Sequence, residues 1–383
     1  MGTARALLAG LLLVVCACGS VSRPAAVVSP AKPSPEPSKV YASPTAEPST
    51  APWVIPFSGI DFIDRSHGWE VTLEQDGLKV GVARTSDGGA TWSAPVTAGR
   101  FFLGDTPLPR FGVRFANLND GWLFPQALYA TTDGGATWSP TSVQSYVYDV
   151  GVVGSSVWAL TEKGLFRSEA GSIVWTAMPA APIGPRGPIQ LIRVSENVAF
   201  IVDQSQFDTA IYRTADGGAT WKNLAAPCRG YTMPVATLDG IHIWMVCGSE
   251  PGAGNQAKWT YTSDDSGAHW TRRAYNDGIN SSGIETTGGY AKLLALTSAT
   301  TGFMANDRGD LYRSVDGGKT WKASGLAYAS EGFFNDLQFV DSSTGWFSGI
   351  IEGLTPDGSI GLYRTTDGGA AWILVNSMSG TAG

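Results

Sequence analysis

Charge is scarce in this chain. Only 15% of the 383 residues are Asp, Glu, Lys or Arg, and the balance is acidic, −7 at neutral pH. Arg272-Arg273 is the only adjacent basic pair. A nucleic-acid-binding protein needs a basic stripe, so that class is set aside. Histidine is as rare: His67, His242 and His269. None stands beside a nucleophile motif, which argues against a Ser-His-Asp arrangement, and no His/Cys spacing suits a metal. No cofactor is expected. The four cysteines contain no CxxC, so a redox-active pair is not expected. Nothing reads as a long amphipathic helix. The apolar run Ala6 to Val15 is too short to span a bilayer.

What the chain has instead is glycine, 48 residues of it, and 14 tryptophans. That composition suits short strands turned tightly around aromatic packing. One phrase recurs, Ser/Thr-x-Asp-x-Gly-x-x-Trp, with its acid at Asp87, Asp133, Asp216, Asp265, Asp316 and Asp367. A seventh copy, Gly164 to Trp175, aligns without a gap on Gly361 to Trp372, but Ala170 replaces the acid and Ser172 the second Gly. The closing tryptophans are Trp92, Trp138, Trp175, Trp221, Trp270, Trp321 and Trp372, spaced 37 to 51 residues apart. Apolar segments repeat between them, as in Val113–Ala116 before Gly121-Trp122 and Leu337–Val340 before Gly345-Trp346.

A period in the forties with four short strands is the unit of a propeller blade. The expectation is therefore all-β: a seven-bladed β-propeller of four-stranded antiparallel blades over 53–383. In the second repeat the strands are expected at Val113–Ala116, Trp122–Pro125, Ala127–Thr131 and Ala136–Ser139. The Asp phrase then turns the third strand into the fourth. Its carboxylate accepts N–H groups just ahead, its glycines supply positive φ, and its Trp returns in the fourth strand.

These phrases resemble the Asp-box (BNR) repeat family. The resemblance covers nearly all of the chain after the leader. It implies that the six boxes are structural and lie at the blade periphery. It does not choose an activity, since the family holds sialidases, xyloglucan-cleaving hydrolases, sorting-receptor ectodomains and photosystem II assembly factors. Sialidases have six blades and a Phe/Tyr-Arg-Ile-Pro motif, which is absent here. Seven blades behind an export signal are most similar to the photosystem II stability/assembly factor-like group of exported bacterial propellers. That likeness implies a non-catalytic scaffold holding a protein segment, and it carries over no functional residues.

The leader has its own logic. Arg5, the apolar run and Val15-Cys16-Ala17-Cys18-Gly19-Ser20 resemble a bacterial lipoprotein signal over 1–18. Cleavage before Cys18 and its lipidation would anchor the protein on the outer face of the cytoplasmic membrane; ordinary cleavage would release it. Residues 19–52, rich in Pro, Ser and Ala, cannot bury a core and read as a tether. Cys228 and Cys247 fall at the same end of a hairpin in the fifth repeat, so a disulfide is expected in an exported protein.

In an antiparallel blade, the first-to-second and third-to-fourth turns share one face. Both are short here. The long connections, such as 94–110 and 274–290, collect on the other face, which marks it as the working face. Its aromatics include Phe101, Phe102, Tyr146, Tyr231, Tyr275, Tyr290, Phe333 and Phe334. The innermost strands carry Asp61, Arg114, Asp149, Arg193, Lys292 and Asp336, either lining a polar channel or simply pairing with one another. Two functions follow. One is a monomeric, membrane-tethered scaffold that binds a protein or glycan on the loop-rich face. The other is a glycoside hydrolase using acids near the axis.

Overall fold

The computed structural model describes residues 53–74, 79–100, 111–182, 188–204, 209–228, 234–324, 333–351, 355–356 and 359–379. Cys18, Phe101, Phe102 and Tyr231 lie outside them. Seven sheets follow one another along the chain, each of consecutive antiparallel strands. The innermost strands are Trp53–Phe62, Gly112–Phe115, Val147–Val153, Pro188–Arg193, Val235–Thr237, Ala291–Leu296 and Phe333–Phe339. Neighbours in this series pack side by side through the first four and again through the last three, and the last returns to the first. Between the fourth and fifth blades, Gln190 Nε2 donates to the Val235 carbonyl at 3.0 Å. The chain is a seven-bladed β-propeller.

The recurrent Gly-Trp pair has a steric cause. The last residue of an inner strand faces the Gly that opens the second strand: Phe62 opposite Gly68, Phe115 opposite Gly121, Phe339 opposite Gly345. A Cβ on any of these glycines would lie 2.4–2.5 Å from the phenyl ring. The ring uses that room to stack on the second-strand aromatic of the preceding blade. Phe115 lies on Trp69 at 3.6 Å between centroids, Phe62 on Trp346 at 3.8 Å, and Phe339 on Phe303 at 4.9 Å. Blade thus grips blade through buried aromatic surface.

Each Asp box closes its turn as expected, and two of them add a link between blades. Asp133 Oδ1 accepts the Thr137 N–H at 2.8 Å and its Oδ2 the Thr137 hydroxyl at 2.6 Å. Gly134 and Gly135 take φ of 71° and 90°. The Gly134 carbonyl then accepts the indole N–H of Trp69, from the preceding blade, at 3.0 Å; Gly88 receives Trp346 likewise at 2.9 Å.

Several expectations need correction. The box Thr and Trp do not return inside the outer strand: that strand begins after the Trp, at Ser139–Pro140 in the second blade and Lys222–Leu224 in the fourth. The box uses its residues up to the Trp for carboxylate bonds, which bend the backbone out of ladder register. Phe333 and Phe334 are not loop aromatics but the first two residues of an inner strand, opposite Ile350 and Gly349. The 274–290 connection is partly ordered into the ladder: the outer strand runs Thr271–Asn276 and a fifth strand, Ser281–Ser282, pairs with it. His242 stands in a turn, held by Asp239. The disulfide expected between Cys228 and Cys247 is formed.

Candidate functional site

Four of the six charged inner-strand residues come together. Asp61, Arg114, Asp149 and Arg193, with Gln190 and Gln338, line an axial cavity of about 550 Å³. Its wall also contains Ile63, Ala116 and Gly154, which enter the first-to-second-strand turns. The cavity therefore sits toward the Asp-box face, away from the long connections. Asp336 is not in its wall, although its charge reaches Asp61, Arg114 and Asp149. Lys292 is exposed on the inner strand of the sixth blade and does not join the group.

The carboxylates share one bonding pattern. Asp61 Oδ2 accepts the N–H of Phe115, in the next blade, at 2.7 Å, and its Oδ1 accepts Gln338 Nε2 at 3.2 Å. Asp149 Oδ2 accepts the N–H of Leu191, again in the next blade, at 2.9 Å, and its Oδ1 that of Val150 at 2.8 Å. Asp336 Oδ2 accepts the Ile60 N–H across the junction of last and first blades at 3.3 Å, and Oδ1 that of Leu337 at 2.9 Å. Each acid thus ties its own inner strand to the following one. Arg114 returns the bond, its Nη1 donating to the Ile60 carbonyl at 3.4 Å and standing 3.8 Å from Asp61 Oδ1.

Burial dominates the electrostatics. It pushes Asp61 up to about 6, against the opposing pull of Arg114 and the Phe115 N–H. It raises Asp149 as well, with Arg114 again opposing. Arg193 is lowered to about 10 by burial. Its register explains its role. It stands opposite Ala199 as Phe115 stands opposite Gly121, and its guanidinium lies 3.9 Å above Trp158. Arg193 thus replaces the stacking phenyl ring and leaves Nε and Nη1 without partners.

Among the described residues no three His, Cys, Asp or Glu side chains could hold a metal. The structure adds Gln190 and Gln338, which sequence reasoning passed over because uncharged inner-strand residues carry no signal. Tyr290 lies on the loop-rich face, its N–H on Asp307 Oδ1 at 2.6 Å. A second cavity, of about 620 Å³, opens beside the first box between Trp69, Trp92, Arg84 and Leu118.

The BNR/Asp-box repeat model matches residues 312–323, the turn of the sixth blade. That match covers one turn of the seven-bladed propeller. No curated protein matches it by sequence. Solved structures resemble this propeller in fold. YCF48 from Cyanidioschyzon merolae is 20% identical with a TM-score of 0.58, over 84% of this chain and 97% of that one. YCF48 bound to a D1 peptide is 22% identical with a TM-score of 0.57, over 86% and 99%. An ancestral GH74 enzyme is 12% identical with a TM-score of 0.56, over 87% of this chain but only 47% of that one.

Proposed function

We propose that this Asp-box propeller is a non-catalytic scaffold that holds a segment of another protein on its loop-rich face. The observation that carries the reading is the use made of the axial acids. Asp149 and Asp336 each spend both oxygens on backbone N–H groups. A carboxylate so engaged holds blades together and is poorly placed to move protons to a substrate. The fold likeness to YCF48, seen with a D1 peptide, supports the same direction. In this reading the chain acts as a monomer, exported and tethered through lipid on Cys18, with 19–52 as the spacer.

A glycan-cleaving reading draws on one observation: Asp61, raised to about 6, faces the axial cavity, and a raised carboxyl suits a general acid. Cross-linking of the full-length chain in native membranes, beside a glycan-hydrolysis screen, separates the two. A protein cross-linked at the loop-rich face, with no turnover, is expected. Turnover abolished by Asp61→Asn or Asp149→Asn overturns the scaffold.

A further inference from the structure

On the Asp-box face, the first and second blades flank the second cavity, of about 620 Å³. That volume lies within the roughly 300–1,000 Å³ of small-molecule sites. Its wall is built from the first box and the first-to-second-strand turn of the second blade. Arg84 and Trp69 are cross-strand partners in the first blade. Beyond Trp92 the chain doubles back beside Arg84. The Ser93 N–H donates to the Arg84 carbonyl at 2.9 Å, and the Arg84 N–H to Ser93 Oγ at 3.1 Å. One guanidinium and two indole rings are thereby brought to the same wall.

Arg84 departs from its counterparts in other blades. In the seventh blade, Arg364 Nη2 donates to the Arg65 carbonyl of the next blade at 2.9 Å, and its guanidinium lies 5.2 Å over Trp346. Arg213 and Arg313 lie 5.9 and 5.8 Å over Phe200 and Phe303. Among the described residues the Arg84 guanidinium has no hydrogen-bond, ion-pair or ring partner, and the residue is exposed. A Cβ on the first box glycine of the next blade would collide with Arg364 at Gly88 but stand 3.6 Å from Arg84 Nη1 at Gly134. Arg84 is thus drawn back from the neighbouring turn, and the cavity occupies that place.

The rest of the wall states what would fill it. No carboxylate enters it: Asp87 spends its oxygens on Thr85 and Thr91, and Asp64 on Ser66 and His67. Arg84 therefore faces the cavity as an uncompensated cation, which selects an anion and suits a carboxylate. The Trp92 N–H donates to the Gly89 carbonyl at 3.0 Å, and that of Trp69 to Gly134 at 3.0 Å. With their N–H groups committed, both rings offer the cavity apolar surface. Leu118, 51% exposed, adds to it from the second blade. Ser86 and Asn119 are exposed, and their side chains make no hydrogen bond among the described residues. A hydroxyl and an amide each donate and accept, as a ligand rich in hydroxyls requires. A sugar ring has an apolar face of C–H groups and a rim of hydroxyls. We propose that this cavity binds an acidic sugar, a hexuronate unit of a glycan, with its carboxylate on Arg84 and its ring against indole. A peptide carboxylate would use the guanidinium and leave the hydroxyl, the amide and the indoles idle. The site lies on the face opposite the long connections, so it goes beyond the scaffold reading and stands or falls apart from it.

The probes are methyl glucuronoside and methyl galacturonoside, titrated over the full-length chain captured on a surface. Saturable binding of at least one, with a dissociation constant on the order of 1 mM, is expected for one such contact set. The matching neutral hexoside loses the carboxylate and should bind at least about tenfold more weakly. N-acetyl-glutamate amide keeps a carboxylate without the sugar and should also bind about tenfold more weakly. Arg84→Gln removes a side chain without partners, so folding stays intact, and should weaken uronoside binding about tenfold. Arg167→Gln, at the corresponding exposed position of the third blade, should leave it unchanged. Failure of both uronosides to bind, equal binding of acid and neutral sugar, or equal binding of the glutamate amide overturns the site. So does an Arg84→Gln protein that binds as the wild type does, or an equal loss on Arg167→Gln, which would mean that only surface charge is being read.

Discussion

At the scale of single residues, the acids of this propeller fall into two groups with opposite pH behaviour. The box acids Asp87, Asp133, Asp216, Asp265 and Asp316 are held ionised. Asp133 is lowered to about 2, chiefly by the Thr137 hydroxyl and N–H, then by Thr131. Its contribution is full above the unfolded pKa near 4 and is lost as pH falls toward 2. Asp61 and Asp149, at the axis, behave in reverse. Asp61 is raised to about 6 by burial, so the folded state binds its proton more tightly than the unfolded chain does. Stability then falls as pH rises from about 4 to about 6. Asp61→Asn keeps an acceptor for the Phe115 N–H and should flatten that decline in urea midpoints measured across pH 4–7. Asp133→Asn should instead flatten the loss below pH 4. If the wild type shows no decline between pH 4 and 6, the account of Asp61 fails.

Elements show which parts of the fold were legible in the sequence. The box, the seven periods and the Gly-Trp pairs were readable because each is a local rule about φ or about a missing Cβ. Arg193 was not readable, because its meaning lies in register. Its charge suggested a channel, whereas its position opposite Ala199 makes it a stand-in for phenylalanine. The mates have diverged together: where the Phe occurs, Gly faces it; where Arg occurs, Ala does. Arg193→Phe alone should therefore push a ring into the Ala199 methyl and cost about 1–3 kcal/mol. Adding Ala199→Gly should recover most of that loss. For comparison, Phe115→Ala removes a fully formed stack and should cost about 3–5 kcal/mol. Thermal unfolding of Arg193→Phe, Ala199→Gly and the double variant measures the coupling, and additive behaviour of the two substitutions contradicts the register argument. The degenerate third box obeys a similar lesson. Ser172 lacks the positive φ that the second box Gly adopts elsewhere, so Ala170→Asp by itself should yield no stability.

At the scale of the whole molecule, the question is what shuts the ring. Every blade is made of consecutive strands, so within the described residues no strand is lent by one end of the chain to complete the other. The junction of the seventh and first blades is carried by side chains. Gln338 is its centre: its Oε1 accepts the Phe62 N–H at 2.8 Å, and its Nε2 donates to the Phe62 carbonyl at 3.0 Å and to Asp61 at 3.2 Å. Around it, Asn335 and Ser348 both donate to the Phe57 carbonyl at 3.2 Å. Arg65 reaches Asp341 at 2.8 Å, and Asn376 reaches the Ala90 carbonyl at 3.0 Å. Sequence could not foresee this, since the partners lie about 280 residues apart and no periodicity links them. Such a closure is a set of separate bonds over one aromatic stack, not a continuous ladder, and it should open before the blades themselves unfold. Gln338→Leu leaves the Phe62 N–H and carbonyl unpaired and should cost about 2–4 kcal/mol. The loss should be local. Amide exchange is expected to quicken in Trp53–Phe62 and Phe333–Phe339 while the inner strands of the third and fourth blades keep their protection. Uniform acceleration through all seven blades would mean that the ring opens only by global unfolding, and that the junction is no weaker than any other.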